Sequence, residues 1–198
     1  MKKHLVGYLL ILLFVCPLSA YPGAPLEEVK INVNRVLDTL RDPALKGEAG
    51  KKAKKEKISA ISNEMFDFTE LSKRSLGQNW NKMNADQQKE FVRLFKSLLE
   101  DTYADKITAY TDEKLVFGKE TSLSEKTVEV QTSVVAKTST VQINYRVIEE
   151  NGHWKVYDVV IEGVSLITNY RTQFREILAS KTPEALLETL RKKVGKTS

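Results

Sequence analysis

Only one cysteine occurs in the 198 residues, Cys16, and it closes an apolar N-terminal run. If that run is removed on export, the mature chain has no thiol. It can form no disulfide and offer no thiolate, so its stability must come from burial. Histidine is almost as scarce. Beyond His4 only His153 remains, with no cysteine or second histidine to build a zinc site. There is no Walker loop and no dinucleotide fingerprint. Gly163-Val164-Ser165 resembles the start of a nucleophile elbow, but Ile167 stands where the second glycine belongs, and Ser165 reads better as a helix start. A strong charge of one sign is also missing. Thirty-one Lys and Arg against 26 Asp and Glu give +5, a modest surplus that does not demand nucleic acid.

The N-terminus reads as a secretory signal. Lys2 and Lys3 form the positive segment, Leu5 to Val15 the apolar one, and Leu18-Ser19-Ala20 a cleavage site after Ala20. The apolar run is short for a membrane span, and no second one follows. The expected organisation is a signal peptide over 1–20 and a single domain over 21–198, the mature chain starting at Tyr21 with a charge of +3. Lipidation of Cys16 is the competing reading; Val15 stands before it where a small residue is usual. About 178 residues suffice for one well-buried domain.

Along the chain, Leu26, Val29, Val33, Val36, Leu37 and Leu40 make one apolar helical stripe, ended by Arg41-Asp42-Pro43. Lys51, Lys52, Lys54, Lys55 and Lys57 follow. No aromatics interleave with these lysines to stack bases, so a solvated helix face is the expected reading. Residues 58–76 read as short helices, and Gly77 as a break. Asn84 with Gln87 is a capping-box pattern opening the longest helix. That helix carries Phe91, Leu94, Phe95, Leu98, Leu99, Tyr103, Ile107 and Tyr110 on one face. From residue 113 the period changes to two. Leu115-Val116-Phe117 reads as a short strand. Val128, Val130, Thr132 and Val134 alternate with polar residues, as do Val141, Ile143, Tyr145 and Val147. Thr182-Pro183-Glu184 opens a last helix. Helices, then strands, then helices argue for an α+β fold, an antiparallel sheet of four to five strands with helices packed on one face.

Residues 152–178 carry the most information. Trp154, Val156, Val159, Val160 and Ile161 put apolar groups on both faces of a strand, which must therefore be covered on both sides. Gly163 breaks it, and Ile167, Tyr170, Phe174, Ile177 and Leu178 recur at helical spacing. The W-K-V-Y-D-V of 154–159, the E-G-V-S of 162–165 and the N-Y-R-x-x-F of 169–174 resemble the signature of the MlaC-type (toluene-tolerance) family of periplasmic phospholipid shuttles. A weaker likeness runs over about residues 25–195, including F-T-E-L-S-K-R-S-L-G at 68–77. The resemblance implies a non-enzymatic periplasmic carrier without cofactor. Its partners would be phospholipid, an outer-membrane lipoprotein complex and the substrate-binding ring of an inner-membrane ABC transporter. A hopanoid-handling relative is the nearest alternative.

Two apolar surfaces emerge from the residues: the strand set Val128, Val130, Val134, Val141, Ile143, Tyr145 and Val147, and the helical set with Phe91, Phe95, Leu98, Tyr103, Ile167, Tyr170 and Phe174. Closed together they make a core; held apart they make a dry slot. Composition alone allows either outcome. The resemblance implies the slot, with acyl chains between sheet and helices and the headgroup near solvent. Each buried methylene contributes about 0.8 kcal/mol, so a diacyl lipid free in water is disfavoured by roughly 20 kcal/mol or more. Arg171 falls at the edge of the apolar stripe and within the N-Y-R motif, a candidate for a phosphate headgroup; an ion pair with Glu176 or Asp158 is the structural alternative. Asp158 inside an apolar strand needs donors or a cation. The catalytic reading, a general base in a small apolar pocket as in isomerases of the nuclear-transport-factor-like fold, stays open at this point.

Overall fold

The computed structural model describes residues 24–108 and 113–195. The expected signal peptide with Cys16, the expected start at Tyr21, and Tyr110 lie outside them. Six α-helices and five strands are present among the described residues: α1 (Pro25–Arg41), α2 (Gly47–Met65), α3 (Phe68–Leu76), α4 (Ala85–Thr108), β1 (Lys114–Ser124), β2 (Thr127–Val135), β3 (Thr140–Glu150), β4 (His153–Ile161), β5 (Val164–Ser165), α5 (Leu166–Ser180) and α6 (Pro183–Val194). This is the expected α+β arrangement. The sheet is an antiparallel meander in the order β1-β2-β3-β4-β5.

Local chemistry sets the boundaries. The Asn84 side chain accepts from the Gln87 N–H at 2.9 Å while Gln87 accepts from the Asn84 N–H at 3.1 Å, a reciprocal cap for α4. Thr182 accepts from the Ala185 N–H, and Pro183 follows at a position where its missing N–H is harmless. Asn151 and Gly152 both have positive φ (51° and 82°), which suits a two-residue hairpin between β3 and β4.

Two expectations change in extent. The lysine-rich run and the residues after it form one helix, α2, on which Lys51, Lys52, Lys55 and Lys57 pair with Glu48, Glu56, Asp101 and Asp42. That is a solvated face laced with ion pairs. β1, an edge strand, continues well past Phe117: its second half, Gly118 to Ser124, is exposed and polar apart from Leu123, and its register shifts between Phe117 and Glu120. The bulge and the charges Lys119 and Glu120 interrupt a flat edge.

The core has two parts. α3, α4, α5 and α6 pack around Phe91, Phe95, Tyr170, Phe174, Leu186 and Leu187. The second part is the face of the sheet on which α1 lies, with Val29, Val33, Val130, Val147 and Val156. The helical part meets the sheet along β4, which α3 and α5 both contact. The Asp67 N–H donates to the Val156 carbonyl at 2.9 Å, so the chain between α2 and α3 covers part of the β4 edge.

Candidate functional site

Alternation in β1 to β4 sorts side chains onto two faces. On the inner face the register aligns Leu115, Val134 and Val141, then Phe117, Thr132, Ile143 and Ile161, then Val130, Tyr145 and Val159, then Val128, Val147 and Val156. The outer face carries Gln131, Ser133, Gln142, Asn144, Glu129 and Arg146. The inner face is apolar over four strands, but it is unevenly covered. Val130 and Val147 are fully buried and Val156 nearly so. Val128, Val134, Val141, Ile143, Tyr145, Leu115, Phe117 and Ile161 are only half-buried.

Among the described residues α1 covers it through Val29 and Val33, and Met65 of α2, Phe66 and Leu166 of α5 join the same cluster. Two acidic side chains of opposite origin tie α1 down. Glu120 of β1 accepts from the Leu26 N–H at the start of α1, and Glu28 of α1 accepts from the Trp154 N–H at 2.9 Å. Tyr103, near the end of α4, packs against both parts of the core. The connection from α4 to β1 includes residues 109–112, outside the described residues.

The strand residues of the expected site, Val128, Val130, Val134, Val141, Ile143, Tyr145 and Val147, thus share one face. The helical residues go elsewhere. Phe91, Phe95, Leu98, Ile167, Tyr170 and Phe174 belong to the helical cluster, with Phe95 meeting Tyr170 at 4.9 Å and Phe174 at 5.1 Å between ring centres. Leu115, Phe117, Ile161, Val29 and Val33 line or cover the inner face and were missed as site residues, although the strand parity of Leu115 and Phe117 and the α1 stripe were both readable.

Tyr145 is the most distinctive group on this face. Burial pushes its phenol up to about 12. Its side chain is nevertheless only half-buried. Dense apolar neighbours on the strands beside it raise the phenol, while part of the side chain stays accessible. Burial also raises the phenols of Tyr103 and Tyr170.

Asp158 lies on the opposite face, 1% exposed, and its carboxylate is fully engaged. It accepts from the Ser165 hydroxyl at 2.7 Å, from the Ile167 N–H at 3.1 Å and from Arg146 at 3.3 Å. Ser165 in turn accepts from the Thr168 N–H at 3.1 Å. The pair of side chains satisfies the first turn of α5 and fastens it to β4. Arg171 points at neither Glu176 nor Asp158. Its Nε donates to the Arg74 carbonyl at 2.9 Å, near the end of α3.

Two cavities lie away from the inner face. One of about 440 Å³ sits between α1 and α2 against Asp38, Arg41, Asp42 and Lys57. One of about 180 Å³ lies on the sheet against Val116, Gln131, Ser133, Gln142 and Asn144. Among the described residues no group of three or more His, Cys, Asp or Glu is placed to hold a metal, and no helix is long and apolar enough to cross a membrane.

The profile of the MlaC protein family matches residues 30–192. The chain belongs to the MlaC family. It is 25% identical over 115 residues to the intermembrane phospholipid transport system binding protein MlaC of Haemophilus influenzae, a match covering 54% of each chain, so it spans about half that relative's length. Its structure superposes with a TM-score of 0.76 on the phospholipid-binding protein from Ralstonia solanacearum, solved in complex with a phospholipid, at 25% identity over 87% of this chain and 98% of the other. In this MlaC-family chain the three motif segments at 154–174 build one corner: the β4 strand with Asp158, the turn at Glu162-Gly163 with φ of 49° and 79°, and α5 capped by Ser165. What the motif specifies locally is the junction between the two parts of the core.

Proposed function

We propose that this protein is a non-enzymatic carrier that holds phospholipid acyl chains against the inner face of its sheet. The observation that supports this most is the uneven cover of that face. A row of valines, Ile143 and Tyr145 stays half-buried beside fully buried Val130 and Val147. A closed core gains from burying such residues completely, at about 25 cal/mol per Å² of apolar surface. A carrier instead keeps an apolar surface ready for cargo. Affinity need only match the bilayer for lipid handover to be near balance. Membership of the MlaC family and the phospholipid in the Ralstonia structure support the same cargo.

The fuller reading is a single domain over 21–198, released into the periplasm from a cleaved signal peptide. It exchanges lipid with an outer-membrane lipoprotein complex and with the substrate-binding ring of an inner-membrane ABC transporter. In this reading the strand residues and Tyr103 form the slot, and the helical aromatics belong to the separate helical core. Arg171 acts structurally, holding α5 to the end of α3. Asp158, consumed by three donors, gives no support to an isomerase reading.

Mass spectrometry of an organic extract of the purified protein tests the proposal. Near-stoichiometric phospholipid is expected. A fully folded protein that yields no phospholipid after exposure to phospholipid vesicles would contradict it, and hopanoid in its place would redirect it.

A further inference from the structure

The inner face carries few polar side chains, and nearly all are spent inside the protein. Glu120 accepts from the Leu26 N–H. The Ser122 hydroxyl donates to the Ser124 carbonyl at 3.0 Å. The Thr132 hydroxyl donates to the Ile143 carbonyl. Glu149 accepts from the Gly152 N–H at 2.8 Å. Two donors remain. The Trp154 Nε1–H is sealed from water and has no partner among the described residues. The Tyr145 hydroxyl makes no hydrogen bond among the described residues either, and its side chain keeps partial exposure. It stands on β3, between Val130 of β2 and Val159 of β4, in the middle of the apolar surface.

A hydroxyl in such a place costs stability unless something accepts its hydrogen bond. We infer that the Tyr145 hydroxyl is the hydrogen-bond donor that the slot offers to its cargo, and that it reads an ester carbonyl of an acylated glycerolipid. The inference rests on the carrier reading and deepens it. The acceptor must be neutral, because the rows around Tyr145 contain no lysine or arginine to accompany a phosphate. Each acyl chain of an ester lipid begins with such an oxygen, at the point where the polar head gives way to hydrocarbon. A phenol held neutral by its surroundings remains a donor throughout the neutral pH range. The consequence is selectivity for ester-linked over ether-linked chains, and over polycyclic hydrocarbons that lack an acceptor.

The test compares delipidated protein loaded with diester and diether phospholipids of identical headgroup and chain length, with retention read by native mass spectrometry. One hydrogen bond predicts roughly 5–10-fold tighter retention of the diester. Tyr145→Phe should bring the diester down to the diether level and leave the diether unchanged. Equal retention of both lipids by the unaltered protein, or a preference surviving in Tyr145→Phe, overturns the inference and leaves the carrier reading standing. Retention of neither lipid overturns both. A second readout needs no variant: the carbonyl stretch of bound, carbonyl-¹³C-labelled diester lipid in the unaltered protein. A hydrogen-bonded carbonyl frequency is expected for one ester. Two carbonyls at the frequency found in dry hydrocarbon would overturn the inference.

Discussion

The helical part of the core and the sheet part use similar residues to opposite ends. Around Phe91, Phe95, Tyr170 and Phe174 the rings meet edge to face at 4.9 to 5.3 Å, and Leu186 and Leu187 of α6 close the cluster without residual exposure. Fourteen buried residues there outnumber eight half-buried neighbours. On the sheet side the balance reverses, with eight buried and ten half-buried. Side chains from four helices interdigitate in the first case, which satisfies the demand for dense packing. In the second, α1 together with Met65, Tyr103 and Leu166 from other helices covers a four-stranded surface incompletely. The lesson is that composition does not separate a closed core from an incompletely covered face. The extent of the cover over the surface beneath it does.

Substitutions should divide along that line. The largest effect is expected for Phe95→Ala, which removes a fully buried ring touching Phe91, Tyr170 and Phe174. It should cost about 3–5 kcal/mol in urea unfolding, with lipid lost only in proportion to folded protein. Asp158→Ala strips the corner that joins the two parts. It leaves the Ile167 N–H and the Ser165 O–H without their acceptor, while Arg146 keeps Glu129 at 2.9 Å. A loss of about 2–3 kcal/mol is expected, measured the same way.

Within the sheet, a matched pair sharpens the comparison. Val130→Phe overfills a site with no exposure and should cost about 1–3 kcal/mol. Ile143→Phe, at a half-buried position one row away, should cost less than about 1 kcal/mol and reduce bound phospholipid. Equal destabilisation by the two, with unchanged lipid, would mark the whole face as core. Arg171→Ala removes one exposed hydrogen bond to the Arg74 carbonyl and should lower stability by less than about 1 kcal/mol with lipid occupancy unchanged. Selective loss of lipid in that variant would restore its headgroup role.

Alkaline titration should leave stability at neutral pH untouched. The Tyr145 phenol is raised to about 12 from its ordinary value of 10. A group raised in the folded state contributes stability that is complete below about pH 10 and is lost as pH rises through about 12. Phenolate absorbance should show a late step near pH 12 that Tyr145→Phe removes.

Much of this was legible in the residues. Asn84 and Gln87 announced the start of α4, Thr182-Pro183 that of α6, and the alternation of β2 and β3 their inner faces. Those signals are local: a cap spans three residues and a strand period two. β1 was read too short because its second half is a polar edge, where no burial imposes alternation. The resemblance implied a slot for Phe91, Phe95 and Phe174, on top of a helical stripe whose periodicity shows burial but not against what. Its partner turned out to include α6, about 90 residues further along the chain than Phe95. The contact made by Arg171 escaped for the same reason. Its partner is a backbone carbonyl on another helix, and no side-chain pattern marks a carbonyl.

The central claim is that cargo lies against the sheet and α1, not among the helices. Photo-crosslinking with a phospholipid carrying a diazirine in one acyl chain, followed by peptide mapping, tests it directly. The account predicts adducts within residues 115–117, 127–147 and the α1 segment 25–36. Adducts concentrated in α6, at residues 183–194, with none on β2 or β3, would contradict it.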